Sequence, residues 1–216
     1  MVARPPILPP RGDCFDSSFR ARSPDQRARN EELIAWPRDL LVALHQTLAT
    51  ECGPAAQTIL HSAGRTWGRS LAERVSRQLH AYHAVTIQEL PGARVQASVA
   101  SMFARAGWGR VEIDFARHEI GIIEIRVTNG LSMVLQSMER TGAPAPDHLL
   151  SGVFAGLFSA LTGAKLDCLQ TDYEVAGTAP AGFVVSLPER LSQVADVARR
   201  GQPHDRVVAL LETIRA

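Results

Sequence analysis

Residues 147–163 read Asp147-His-Leu-Leu-Ser-Gly-Val-Phe-Ala-Gly-Leu-Phe-Ser-Ala-Leu-Thr-Gly163, and this stretch decides how the rest of the chain is arranged. Asp147 follows Pro144 and Pro146 and can cap a helix by accepting from its free N–H groups. Gly163 is placed to end that helix in the left-handed conformation. Between them Leu149, Leu150, Val153, Phe154, Leu157, Phe158 and Leu161 leave almost no polar face. A helix that is apolar nearly all round is buried or paired. Gly152 and Gly156, four apart, strip one side of bulk, so another helix can approach closely. The chain continues through Leu166-Asp-Cys-Leu-Gln-Thr-Asp-Tyr173 and Ala181-Gly-Phe-Val-Val185, two strands expected to join at Gly177.

Before this hub, Val111, Ile113 and Phe115 alternate with Arg110, Glu112 and Asp114, and Ile123, Ile125 and Val127 alternate with Glu124, Arg126 and Thr128. Period-two alternation about a turn at residues 116–119 predicts a half-buried hairpin. Val95, Val99, Met102 and Phe103 predict a helix stopped by Gly107-Trp-Gly109. Earlier still, Leu40, Leu41, Leu44 and Leu48 recur at helical spacing up to Gly53-Pro54. A second helix then carries Ile59, Leu60, Ala63, Trp67, Leu71 and Val75, with Gly64 and Gly68 again four apart. After the hub, Pro188 opens a helix with Leu191, Val194 and Val197, and Val207, Val208, Leu211 and Ile214 mark a last one. Segregated runs of helices and strands predict an α+β fold, with helices on one face of a mostly antiparallel four-stranded sheet. The strand–helix alternation of a dinucleotide fold is missing. Residues 31–216 are expected to form a single domain. Residues 1–30, rich in proline and arginine, are expected to be a disordered tail. In it Phe15 and Phe19 are either scattered apolar residues or an anchor for a protein partner.

The bulk numbers exclude several roles. A net charge of +1 over 216 residues, 45% of them hydrophobic, gives no field that would attract nucleic acid. Cys14, Cys52 and Cys168 are an odd set without framework spacing, which fits a reducing compartment. There is no signal-peptide core and no stretch of membrane-spanning length, so a cytoplasmic location is expected.

Catalytic motifs fare no better. His80 and His83 are three apart but lack a third ligand. Asp114 and His118 flank the hairpin turn, with Asp114 on the solvent face. Ser151 lacks the glycine frame of a nucleophile elbow. Cys168 has no histidine at a telling spacing, and neither a phosphate loop nor a dinucleotide fingerprint occurs. No catalytic residue, metal or cofactor is expected.

With those residues in place, the chain resembles the 4-vinyl-reductase-type domain, a small-molecule-binding family similar in fold to subunits of the vesicle-tethering complex. The resemblance rests on Gly64-Arg-x-x-Gly68, Gly107-Trp-Gly109, His148-x-x-x-Gly152-x-x-x-Gly156 and Gly177…Phe183-Val-Val185, and covers roughly Leu40 to Arg190. Metal-binding members carry cysteines in the last two strands. The matching positions here are Tyr173 and Ala181, so the resemblance implies no zinc site. It does imply a pocket for a hydrophobic small molecule between the hub helix, the Trp67 helix and the sheet. The candidates to line it are Trp67, Met102, Phe103, Trp108, Phe154, Phe158 and Tyr173, together with Met133 and Met138, and His148 at its mouth. The same residues would also serve as ordinary core, the commoner use of such side chains.

The ladders Gly64/Gly68 and Gly152/Gly156 fit either a helix crossing within the chain or the interface of a homodimer or higher oligomer. The leading expectation is a non-enzymatic homodimer that senses a hydrophobic small molecule. The alternative is a structural oligomer that resembles the D component of the bacterial cellulose synthase operon and assists glucan export.

Overall fold

The computed structural model describes residues 38–83, 91–130, 146–174 and 179–214. The proline-rich tail with Phe15 and Phe19, the segment with Met133 and Met138, the turn at Gly177 and the side chain of His83 lie outside the described residues. Among the described residues six α-helices and four strands follow one another: α1 (Arg38–Cys52), α2 (Ala55–His83), α3 (Gly92–Ala106), β1 (Arg110–Asp114), β2 (Ile123–Thr128), α4 (His148–Thr162), β3 (Asp167–Asp172), β4 (Ala181–Ser186), α5 (Pro188–Arg199) and α6 (His204–Thr213). The strands form one antiparallel sheet in the order β1-β2-β4-β3. The α+β class and the four-stranded antiparallel sheet are those the sequence predicts.

Helix α4 is the expected hub. The Asp147 carboxylate accepts from the Leu150 N–H at 2.8 Å, and Gly163, with φ 73°, ends the helix through its N–H to Ser159. Residues Leu150 to Phe158 are all buried. Its most extensive contact is with α2, and the glycines explain how the two helices meet. A Cβ added to Gly64 would overlap the Leu149 carbonyl, and one on Gly68 the carbonyl of Val153. In the other direction, a Cβ on Gly152 would strike the His61 carbonyl, and one on Gly156 that of Arg65. The two ladders face each other inside one chain, backbone against backbone. This corrects the reading of Gly64, Gly68, Gly152 and Gly156 as an interface between copies: their open sides are already filled by their own chain.

The sheet is covered on both sides. On one face Val111, Ile113, Ile125, Val127, Ala181, Phe183 and Val185 join α4 and α3 in the main core. On the other, Ile122 and Val184 meet Leu191, Val194, Ala198, Val207, Val208 and Leu211 of α5 and α6. All six β4 residues are buried, as a central strand between two layers requires. The two terminal helices therefore add a second layer to the helices that the sequence reading gathered on one face.

Candidate functional site

The aromatic candidates come from four separate elements, and local chemistry places each. Helix α3 ends in Gly107 at φ 71°, and the Trp108 N–H returns to the Phe103 carbonyl at 3.0 Å. This hydrogen-bonded helix stop characteristically brings the residue after the glycine back onto the last turn. Trp108 accordingly lies edge-to-face on Phe103, with ring centroids 6.4 Å apart. Gly109, at φ 101°, lets the start of β1 pass close to the carbonyls of Thr128 and Asn129. Trp67 reaches the same place from α2 because Gly64 and Gly68 draw that helix against α4.

The result is a connected column of rings. Trp67 and Trp108 stack at 4.6 Å, and both lie edge-on to Phe103. Phe103 stacks on Phe154 at 5.5 Å, and Phe154 meets Phe183 of β4 edge-to-face at 5.3 Å. Both tryptophans are half-buried, whereas the three phenylalanines are fully buried. Met102 packs, half-buried, against the same core. Thus Trp67, Phe103, Trp108 and Phe154 form one connected group of rings, in the core against which Met102 also packs. Phe158 is buried one turn along α4 and pairs with Phe115 at 6.2 Å instead. Tyr173 follows β3, half-buried, and burial pushes its phenol up. Aromatic pairs of this geometry contribute about 0.5–1.5 kcal/mol each beyond the area they bury. Where described, the rings touch one another, so the column is packed rather than hollow.

His148 belongs to another neighbourhood. It is the first residue of α4, and its charged neighbours are His61 of α2 and His45 of α1. Burial first, then the neighbouring histidine, hold both His148 and His45 below the ordinary histidine value. His61 is bridged to Asp167 at 3.1 Å, and Arg65 donates to the Leu166 carbonyl at 2.7 Å, tying α2 to the start of β3. Burial works against the Asp167 carboxylate. The His61 hydrogen bond, the Cys168 N–H and the charges of His61 and Arg65 outweigh it, and the carboxyl is held below its ordinary value.

Sequence reasoning missed a buried polar chain on the other face of the sheet. The Thr171 hydroxyl and His204 Nδ1 share a hydrogen bond of 2.6 Å, and His204 Nε2 lies 3.0 Å from Glu124. A carboxylate only accepts, so Nε2 carries the hydrogen, and in the neutral ring Nδ1 accepts from Thr171. Arg117 bridges Glu124, at 2.6 Å, to Glu212 at the far end of α6. Gly182 makes room, since a Cβ there would press on the His204 ring and the Thr171 hydroxyl. The hydroxyl–imidazole–carboxylate order is that of a nucleophile with its base and orienting acid. Thr171 and His204 are only 3% and 2% exposed, so no substrate reaches the hydroxyl, and the chain acts as a clamp for α6. Nothing in the sequence spacing of 124, 171 and 204 signals it.

Two further carboxylates are structural. Buried Glu174 accepts from the backbone N–H groups of Asn129 and Gly130 and fixes the end of β2. Asp114 accepts from the Ala116 N–H at 2.7 Å, and His118 Nδ1 contacts the Phe115 carbonyl at 2.6 Å, so this pair folds its own turn. Cys168 is buried, and burial together with Asp167 and Asp147 pushes its thiol well up, away from a nucleophilic thiolate. Ala181, the position matched to a metal-binding cysteine, is fully buried in β4. Among the described residues no group of three or more His, Cys, Asp or Glu is placed to hold a metal. No described helix is long and apolar enough to cross a membrane.

Neither a family model nor a curated protein matches the sequence. Solved structures do match. The phenol-responsive sensory domain of the transcription activator PoxR, crystallised with phenol, superposes with a TM-score of 0.60 at 18% identity, over 80% of this chain and 85% of that one. A trafficking protein particle complex subunit 3 from Naegleria fowleri, covalently bound to palmitic acid, gives 0.48 at 13% identity, over 69% of this chain and 94% of that one. At such identities the likeness to the sensory domain is one of fold, and it agrees with the fold that the 4-vinyl-reductase resemblance implies.

Proposed function

We propose that this domain is a non-enzymatic sensor or accessory module that binds a hydrophobic, aromatic small molecule at the Trp67–Trp108 end of the ring column. The observation that carries the reading is the column itself. It runs without a break from two half-buried tryptophans to phenylalanines of the innermost core, through α2, α3, α4 and β4. An aromatic ligand that replaces the Trp67–Trp108 stack with ring–ligand contacts keeps the quadrupole geometry such rings favour. Because the column touches four elements, occupancy would be felt by all of them, which suits a sensor. The shared fold with a domain that responds to phenol supports the choice of ligand class.

The homodimer expected from the glycine ladders has lost its sequence basis, because the ladders are used within the chain. No observation favours the glucan-assembly alternative.

The test is a titration with phenol, alkylphenols and a long-chain fatty acid, followed by tryptophan fluorescence and calorimetry. Phenols are expected to saturate a single site and shift the emission of the stacked pair. Trp108→Ala is expected to weaken binding about tenfold or more, equivalent to about 1.4 kcal/mol. A folded protein that binds no member of the panel would overturn the assignment. Binding that Trp108→Ala and Trp67→Ala both leave unchanged would place the ligand elsewhere and overturn the site.

A further inference from the structure

Among the described residues, helix α1 is attached to the rest of the domain through very little. Val42 is its one buried apolar side chain among the described residues, 3% exposed, and packs with Leu41 and Leu149 in a satellite cluster apart from both main cores. On the same helix Leu40 and Leu44 stay 50% and 42% exposed. The link to α2 is Gly53-Pro54, with Gly53 at φ +53° over open space, a joint with nothing packed where a side chain would be.

Two histidines flank this cluster: His45 follows Val42 by one turn of α1, and His148 precedes Leu149 at the start of α4. His45 Nε2 on α1 is buried without a hydrogen-bond partner, and so is His148 Nε2 in the first turn of α4. A buried polar atom left unsatisfied destabilises the contact that buries it. A protonated ring there is worse, for the added charge is desolvated.

Every facing element makes this a poor site for cations. His148 opposes a charge on His45, and His61 of α2 opposes one on His148. Arg65, also on α2, contributes a permanent positive charge beside Asp167. The N-terminal end of the α4 dipole is positive where His148 sits. Two carboxylates stand near: Asp167 of β3 is engaged with His61, Arg65 and the Cys168 N–H, and Asp147, which caps α4, accepts from the Leu150 N–H through Oδ1.

We propose that α1 is an acid-released arm: protonation of His45 and His148, which flank the Val42–Leu149 contact, detaches α1 from α2 and α4 about the Gly53–Pro54 joint, while the two main cores stay folded. This is independent of the ligand reading.

Burial and the neighbouring imidazole hold both histidines below their ordinary value while α1 is docked. The docked state therefore keeps its full advantage above the ordinary histidine value of about 6.5. It loses that advantage as the pH falls below this value, because the detached arm takes up protons more readily. Between about pH 7.5 and 5.5 the change reaches up to about tenfold for each histidine in the docking equilibrium.

Hydrogen-exchange mass spectrometry of the full chain at those two pH values, corrected for intrinsic exchange, reads α1 peptides against α4 peptides. Protection of α1 is expected to fall relative to α4 at the lower pH, by up to about tenfold for each histidine. His45→Leu and His45→Gln are each expected to remove at least half of that response on a logarithmic scale, with α4 protection reporting that the core is intact. Unchanged α1 protection in the parent protein would overturn the proposal. So would a full acid response in both His45 variants, or α1 and α4 losing protection together.

Discussion

The two faces of the sheet are held in opposite ways. On the α4 side, the packing is mainly apolar: Val111, Ile113, Ile125, Val127, Phe183 and Val185 lie under a largely apolar helix, itself in backbone contact with α2. On the α6 side the apolar cluster is smaller, and buried polar groups fasten the helices. His204 and Arg117 tie the two ends of α6 to the sheet, and the buried Arg190 guanidinium donates to the carbonyls of Ile120 and Leu211. The first face depends on how close two backbones come, a condition that a single added methyl breaks. The second depends on partners being present in pairs, where removal of one strands another.

That contrast can be broken by substitution, and the largest effect is expected on the apolar face. Gly156→Ala sets a Cβ into the Arg65 carbonyl, where backbone rather than a flexible side chain must yield. Overpacking of this kind costs about 3 kcal/mol, read as a lowered midpoint in urea unfolding. A loss under about 1 kcal/mol would show that α2 and α4 slide apart freely and that the crossing is not rigid.

On the polar face His204→Ala is expected to cost about 2 kcal/mol, because Thr171 and Glu124 lose their shared partner in a buried place. Exchange protection should fall first in α6. Should α4 lose protection equally, the two faces would not be independent. The smallest effect is expected at the rim of the sheet. Arg110 and Glu112 pair at 2.8 Å on an exposed strand surface, and Glu112→Ala should change stability by less than about 0.5 kcal/mol. A larger loss in the same unfolding assay would mean that this edge is covered by something the pairing alone does not reveal.

The same contrast explains what could be read from the chain beforehand. The hub helix, its Asp147 cap and its Gly163 stop were legible, because caps and apolar runs are local features. So was the hairpin, whose alternation matches its burial. Of the pocket candidates, Trp67, Met102, Phe103, Trp108 and Phe154 do gather, since each lies on the core side of an amphipathic element. Phe158 lies in the same core but pairs with Phe115 rather than joining the ring column, and His148 sits near His61. Periodicity says that a residue turns inward, but it does not say which inward neighbour it meets. The clamp of Thr171, His204 and Glu124 left no trace in the sequence, for its members are distant in the chain and each alone looks like an ordinary polar residue.

The sequence by itself determined the elements, their order and the α+β class, because hydrophobic period, capping residues and glycine stops act over a few residues. Only the tertiary structure decided what the glycine ladders are for. Two small-residue stripes describe a close approach equally well within a chain or between chains, and the choice depends on which surface arrives first at full contact. Here α2 meets α4 of the same chain, joined by a tether that makes the encounter intramolecular. The tertiary structure likewise decided that α5 and α6 cross to the second face of the sheet. Both faces of β4 are apolar enough to need covering, and a strand pattern buried on both sides does not tell which helix will cover which.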